Sequence, residues 1–186
     1  MQTALGLKEL LLTKQNVKIQ AFWIMIFTSL TAVGAWFEVP TQPVPFTLQT
    51  FFVLLAGATL GSRNGSLSQL MYLTIGAVGL PVFAGFSFGF AKLIGPTGGY
   101  LLSFPVAAFV VGYLVSLNKS YWWTLISMSV GMLIIFSSGT LFLNFVYFHD
   151  WIKSFVSGFL IFSLWDVLKI VAAASVYYQI TKKKTF

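Results

Sequence analysis

The stretch FSLWDVLKIVAAAS, residues 162–175, is as apolar as a membrane-spanning helix, yet it contains one acid and one base. Asp166 and Lys169 are three residues apart, so on a helix their head groups project to the same side. An ionised side chain that faces lipid costs at least about 2.5–3.5 kcal/mol on insertion scales. The stretch therefore predicts a helix whose charged side faces the interior of a bundle or a water-filled cavity.

The whole chain shares this apolar character. Of its 186 residues, 58% are hydrophobic and only 8% are charged, and the mean hydropathy is +0.87. A soluble domain carries about a quarter charged residues, because its surface faces water. The composition therefore predicts an all-α integral membrane protein that forms one domain over residues 1–186. The net charge of +7 could suggest a nucleic-acid partner, but the positions of the lysines favour topology signals and no nucleic acid.

Apolar segments long enough to cross a bilayer need about 20 residues each. We predict a single bundle of six transmembrane helices within residues 17–181, at 17–37, 46–60, 65–82, 99–117, 121–148 and 153–180. Residues 1–16 are predicted as an amphipathic helix on the membrane surface, and 182–186 as a basic cytoplasmic tail.

The basic residues outside these segments are distributed unevenly between the two sides of the membrane. One side receives Lys8, Lys14, Lys18, Arg63, Lys119, Lys182, Lys183 and Lys184, whereas the other receives only Lys92 and Lys153. Cytoplasmic loops are enriched in lysine and arginine, so both termini are predicted to be cytoplasmic. The expected location is the cell membrane of a bacterium.

Two long connections are predicted on the outer side. EVPTQPVPFTLQT (38–50) contains three prolines, which favour an extended or turning path. GLPVFAGFSFGFAKLIGPTGGY (79–100) alternates glycines with aromatic residues, so it can bend sharply and still present apolar side chains. This second loop is predicted to act as a lid over a pocket, with Phe83 and Lys92 lining it. The alternative is a re-entrant loop that only plugs the bundle.

The acid–base pair has two explanations. In one, Lys169 donates to a ligand carboxylate or carbonyl and Asp166 accepts from ligand N–H groups. In the other, the two form a self-satisfied ion pair that fixes the helix, although buried pairs seldom add net stability. Trp165 could stack on a ligand ring or anchor the helix at the interface. Asn144 and Gln49 are further polar candidates, with interhelical bonding and backbone capping as their alternatives.

The chain lacks the usual nucleotide-binding and zinc-protease motifs. It contains no GxxxxGK[ST] or HExxH sequence, and its one histidine, His149, lies in a predicted outer loop. It contains no cysteine, so neither a disulfide nor a thiolate site can form. We therefore predict no catalytic residue, no metal and no cofactor.

Small residues recur at four-residue steps in two places. Thr28, Thr31, Ala32 and Ala35 lie in the first predicted helix, and a second series runs through Gly57, Gly61 and Gly65. Faces of this kind let helices approach closely. The first series is a candidate docking face for a partner membrane protein, and packing within the same bundle is the alternative.

Several stretches together resemble the BioY family, the biotin-specific S components of energy-coupling-factor transporters. They are PVPFTLQTFFVLLAGATLGSRNGSLSQLMYL (43–73), GAVGLPVFAG (76–85), GPTGGYLLSFPVAAFVVG (95–112) and DVLK (166–169). The resemblance covers roughly the middle two thirds of the chain and returns near its end.

This resemblance implies a six-helix fold that binds biotin near the outer surface beneath its loops. It assigns biotin contacts to Asp166 and Lys169, and lining or shaping roles to Gln49, Tyr100, Pro96 and Gly98. It also implies two kinds of partner, a transmembrane coupling subunit and two ATPases, which would explain why the chain lacks an ATP site. The alternatives are an S component for another vitamin, or a scaffolding membrane protein without a ligand.

The chain departs from the family pattern at two points. Family members commonly have Pro-Gly before the aspartate, where this chain reads LWD. The loop after VFAG is usually rich in glycine, but here it reads FSFGFAK. We therefore expect the pocket to close with bulkier aromatic side chains.

Overall fold

The computed structural model describes residues 17–160 and 163–182, and most of them are helical. The predicted amphipathic segment 1–16 and the tail residues 183–186 lie outside the described residues. The α-helices are α1 (Val17–Trp36), α2 (Gln49–Ala77), α3 (Phe90–Ile94), α4 (Gly98–Leu117), α5 (Tyr121–Phe142), α6 (Trp151–Gly158) and α7 (Ser163–Lys182). A 3-10 turn (Ala84–Phe86) precedes α3, and a π-helix (Leu143–Phe148) extends α5.

Helix α2 contains the central reversal of the fold. Gly61 has φ +79° and ψ 176°, a backbone conformation essentially restricted to glycine. An unbroken helix would separate residues 49 and 72 by about 34 Å. Instead, the Gln49 side-chain amide donates to the Tyr72 hydroxyl at 2.5 Å, so the chain folds back at Gly61. The predicted segments 46–60 and 65–82 thus correspond to the two halves of α2.

The reversal requires backbones to approach closely. A Cβ on Gly65 would lie 2.8 Å from the Cα of Gly57, and a Cβ on Gly57 would lie 3.0 Å from the Cα of Ala108 in α4. Glycine at these positions therefore lets the halves of α2 pack against each other and against α4. The second series of small residues packs within the chain.

The four candidate docking residues of α1 require a correction. Thr28, Thr31, Ala32 and Ala35 are all buried, and each residue is at most 7% exposed. The Thr28 hydroxyl donates to the Ser68 carbonyl at 2.9 Å, so this face packs against the second half of α2. Since the face is covered, it is not a docking surface in this structure.

The predicted helix 153–180 is wrong as a continuous element. The structure has a short helix α6 that ends at Gly158, and α7 begins at Ser163. Asp150 caps α6 by accepting from the Lys153 backbone N–H at 3.0 Å, which starts the helix two residues earlier than expected. Glycine is a poor helix former, consistent with the end at Gly158.

Three described helices are long and apolar enough to cross a membrane: Val17–Trp36, Gly98–Leu117 and Tyr121–Phe148, the last including the π-helix. They indicate a membrane protein. The described residues form seven α-helices, of which α3 and α6 are short and α2 is broken, so the number differs from the six predicted.

The loop before α2 is a short hairpin. Strands β1 (Glu38–Val39) and β2 (Phe46–Thr47) pair antiparallel, with Glu38 opposite Thr47. The hairpin delivers the chain to the start of α2, next to α7, and α2 packs against α1, α4 and α7. The elements that carry the polar candidates therefore meet at one end of the bundle.

Candidate ligand-binding site

A cavity opens at this end of the bundle, beneath the two long loops. Its empty volume, including the open mouth, is about 540 Å³. Most of the exposed area of its wall is apolar, as is usual for a small-molecule site. The lining residues are Val44, Pro45, Thr47, Gln49, Thr50, Phe83, Ala84, Lys92, Thr97, Tyr100, Leu101, Phe104, Ile135, Phe136, Asp166 and Lys169.

The acid–base pair of α7 lies in the wall of this cavity. Lys169 Nζ is 2.5 Å from Asp166 Oδ1, and Asp166 is 2% exposed. Lys169 Nζ also donates to the Thr47 carbonyl and to Thr50 Oγ1, both at 3.0 Å. An ammonium group has three N–H donors, so these acceptors use all of them. The protein itself therefore holds Lys169 in place.

The carboxylate is less fully satisfied than the ammonium group. Within the described residues, Asp166 Oδ2 is buried without a hydrogen-bond partner, and so is Thr97 Oγ1 on another part of the lining. Buried polar atoms in proteins nearly always have a partner. These two atoms are therefore the positions where a ligand with N–H or C=O groups would complete the hydrogen bonding.

Gln49 is fixed by a chain of hydrogen bonds that crosses the broken helix. Its Oε1 accepts from the Thr47 hydroxyl at 2.9 Å, and its Nε2 donates to the Tyr72 hydroxyl at 2.5 Å. Tyr72 in turn donates to the Val82 carbonyl at 3.1 Å. One fully buried tyrosine thus connects the hairpin, the start of α2 and the second loop.

The second loop forms part of the cavity wall. Phe83 is fully buried, and its ring meets that of Tyr72 edge-on, with centroids 5.5 Å apart. A Cβ on Gly76 would overlap the Phe83 ring, so glycine makes room for it. At the outer edge, Phe86 stacks on Trp36 of α1 at 5.3 Å. The loop is thereby attached to both α1 and α2.

The structure brings six of the ten predicted ligand-lining residues to one cavity: Asp166, Lys169, Gln49, Tyr100, Phe83 and Lys92. They come from α2, α4, α7 and the second loop, and are therefore distant in sequence. Sequence reasoning missed Thr47, Thr50 and Tyr72. The two threonines lie in the quoted stretch PVPFTLQTF, but their contact with Lys169 depends on the packing of α7 against α2.

Four predicted residues lie outside the lining, and the structure corrects their placement. Trp165 is 63% exposed, because neighbouring helical residues are turned by about 100° and Asp166 faces inward. Asn144 is buried in the π-helix and does not line the cavity. Gly98 packs against the Leu93 backbone, where a Cβ would overlap it. Pro96 is partly buried beside the lining residue Thr97.

A helical membrane protein with a cavity beneath two loops and a buried ion pair in its wall has the form of a membrane-embedded binding protein for a small solute. The chain belongs to the BioY family: the model of that family matches residues 8–185. The resemblance noted in the sequence is confirmed.

Individual relatives support the same assignment. The chain is 46% identical over 157 residues to the biotin transporter BioY of Thermotoga maritima, covering 84% of this chain and 92% of that protein. It is 44% identical to the probable biotin transporter BioY of Pyrococcus horikoshii, covering 81% of this chain and 88% of that protein. A solved structure, the S-component for biotin from an ECF-type ABC transporter, superposes with a TM-score of 0.82 at 24% identity, covering 88% and 90% of the two chains. The fold is therefore shared.

Proposed function

We propose that this protein is a biotin-binding S component that takes up biotin together with an ATP-driven ECF module. Two relatives match this chain over most of their own length. One is named a biotin transporter and the other a probable biotin transporter. The observation that carries the proposal is the placement of the Asp166–Lys169 pair in the wall of the cavity beneath the two long loops. The proposed activity is binding and translocation, without covalent chemistry.

The same proposal includes the arrangement in the membrane. We place six crossings in the bundle, with each half of α2 crossing separately and both termini in the cytoplasm. The excess of lysine and arginine on one side supports this orientation. The cavity then opens to the outside. The partners are a transmembrane coupling subunit and two ATPases, which would supply the ATP hydrolysis.

The polar atoms of the cavity suggest how biotin is oriented. Lys169 is already used by three protein acceptors, whereas Asp166 Oδ2 has no hydrogen-bond partner within the described residues. We therefore assign the ureido N–H groups of biotin to Asp166. The valeryl carboxylate requires a cation, and Lys92 lies in the same wall without an ion-pair partner in the described part of the chain. The bicyclic ring would then pack against Phe104 and Phe136.

The experiment that tests this function is a binding isotherm on the purified protein with biotin, thiamine and riboflavin. Saturable binding of biotin alone is expected. Binding of thiamine or riboflavin instead would identify an S component for another vitamin. Binding of none of the three by a folded protein would favour the scaffolding alternative.

Lys92→Met is expected to weaken biotin binding by about tenfold or more, because a charge-assisted hydrogen bond contributes about 1.5–3 kcal/mol. Biotin methyl ester lacks the carboxylate, so its affinity should be nearly the same for the wild type and the variant. Isothermal titration with both ligands measures the difference. Lys119→Met, which removes an exposed lysine outside the cavity, is the matched control. An equal loss of affinity for acid and ester would refute the assignment.

Tyr72→Phe is expected to weaken biotin binding by about fivefold, because the Gln49 amide loses a hydrogen bond worth about 1 kcal/mol that fixes its orientation. Tyr113→Phe is the control, since Tyr113 is 54% exposed and does not line the cavity. Titration of the double variant Tyr72→Phe/Gln49→Ala distinguishes positioning from general damage. If Tyr72 acts through Gln49, adding Tyr72→Phe to Gln49→Ala should cause little further loss. Additive losses would contradict a positioning role.

A further inference from the structure

The short helix α6 presents three different faces. Its buried face consists of Ser154 and Gly158, one helical turn apart. Successive residues are turned by about 100°, so the remaining positions divide into two sectors. One sector is polar and contains Lys153 and Ser157. The other is apolar and exposed, with exposed fractions of 56%, 79%, 45% and 46% for Trp151, Ile152, Phe155 and Val156.

The apolar face continues the lipid-facing surface of a membrane-crossing helix. The helix Tyr121–Phe148 is long and apolar enough to cross the membrane, and α6 begins three residues after its end. Phe145 in the last turns of that helix is 65% exposed, and its ring meets Trp151 edge-on at 5.6 Å. Tyr147 beside it is also exposed. Tryptophan and tyrosine are enriched at the headgroup level of membranes, so this cluster marks the interface.

Lys153 occupies the position expected of a cation in this region. Its ammonium group lies 4.6 Å from the centroid of the Phe148 ring, at the end of the crossing helix. A lysine at the interface keeps its charge among water and lipid phosphates while its stem covers apolar surface. The polar sector of α6 thus matches the headgroup side and the apolar sector matches the acyl chains.

We propose that α6 is an interfacial helix that binds phospholipid in the leaflet on the cavity side of the membrane. It lies along the interface, with Trp151, Ile152, Phe155 and Val156 in the upper acyl region and Lys153 and Ser157 towards water. Each face of the helix then meets a matching environment: the apolar face meets acyl chains, the polar face meets water, and the buried face, Ser154 and Gly158, contacts the bundle. It is the geometry of amphipathic helices that lie in the plane of a membrane surface.

The same helix supports the wall of the cavity. The Tyr100 hydroxyl donates to the Gly158 carbonyl at 2.7 Å, and the rings of Phe136 and Phe159 lie 5.6 Å apart. Tyr100 and Phe136 both line the cavity. The lipid contact of α6 therefore stabilises the aromatic wall against which a ligand packs. This consequence rests on the proposed binding function, whereas the lipid contact itself does not.

Spin-label accessibility tests the lipid contact. The chain contains no cysteine, so single cysteines at positions 152, 156 and 157 can each carry one nitroxide. In liposomes of phosphatidylcholine and phosphatidylglycerol, labels at 152 and 156 should collide more with oxygen than with a water-soluble nickel chelate. The label at 157 should show the opposite preference. Equal accessibility to the chelate at all three positions, or low accessibility to both reagents at 152 and 156, would overturn the proposal.

A second measurement tests the support of the cavity wall. Ile152→Asp should weaken biotin binding severalfold in liposomes, because it draws the apolar face of α6 towards water. Ser157→Asp, on the polar face, should leave the affinity unchanged. Equal affinities for the two variants would overturn the supporting role of α6. If the unmodified protein does not bind biotin, the proposed function fails, while the accessibility contrast still decides the lipid contact.

Discussion

Asp166→Asn is expected to weaken biotin binding about 10- to 150-fold, since it removes a hydrogen bond to a charged acceptor worth about 1.5–3 kcal/mol. It should also lower the stability, because Lys169 is left as a partly buried charge without its counter-ion, and breaking a fully buried pair costs about 3–5 kcal/mol. Thermal unfolding in detergent and isothermal titration with biotin measure the two effects. Asp150→Asn, which changes an exposed aspartate outside the cavity and keeps the oxygen that caps α6, is the control.

The double variant Asp166→Asn/Lys169→Met separates the two effects. Removing both charges leaves no unpaired ion, so most of the lost stability should return. The affinity should stay low, because the acceptor for the ureido group is still missing. If affinity returned together with stability, the pair would be a structural element and biotin would bind elsewhere.

Gly57→Ala is expected to destabilise the protein by about 1–3 kcal/mol, the usual cost of overpacking a core. The added methyl group would overlap the carbonyl oxygen of Ala108, and a backbone cannot move aside as a flexible side chain can. Gly95→Ala is the matched control, because its methyl group would lie 3.4 Å from the nearest atom, in ordinary contact. Thermal unfolding of both variants measures the difference. Similar unfolding midpoints for the two variants would show that α2 and α4 can move apart without a loss of stability.

The helical layout could be predicted because hydrophobic length alone identifies most membrane-crossing segments. The reversal within α2 was predicted only as a short turn, since the positive φ of Gly61 depends on a backbone geometry that composition does not reveal. The end of α6 could not be predicted from the sequence either. Residues 153–180 are mostly apolar, so hydrophobicity alone does not show that the helix ends at Gly158.

The candidate site was predictable where a residue is anomalous in its own segment. Asp166 and Lys169 stand out because charges are costly in an apolar helix. Thr50 and Tyr72 do not stand out, since threonine and tyrosine are common in membrane helices, and only tertiary packing shows which groups they contact. Trp165 was placed in the cavity by its nearness in sequence to Asp166, although adjacent helical residues face different directions.

The hydrogen bond from Lys169 to the Thr47 carbonyl joins positions 122 residues apart. During synthesis the first of these emerges long before the second, so a nascent chain that lacks its last helix has no counterpart for the carbonyl or for Thr50. The recognition site is therefore assembled only when the final helix inserts. Chains that lack α7 would insert into the bilayer but would not bind biotin. Biotin would therefore protect only chains that contain α7 against proteolysis.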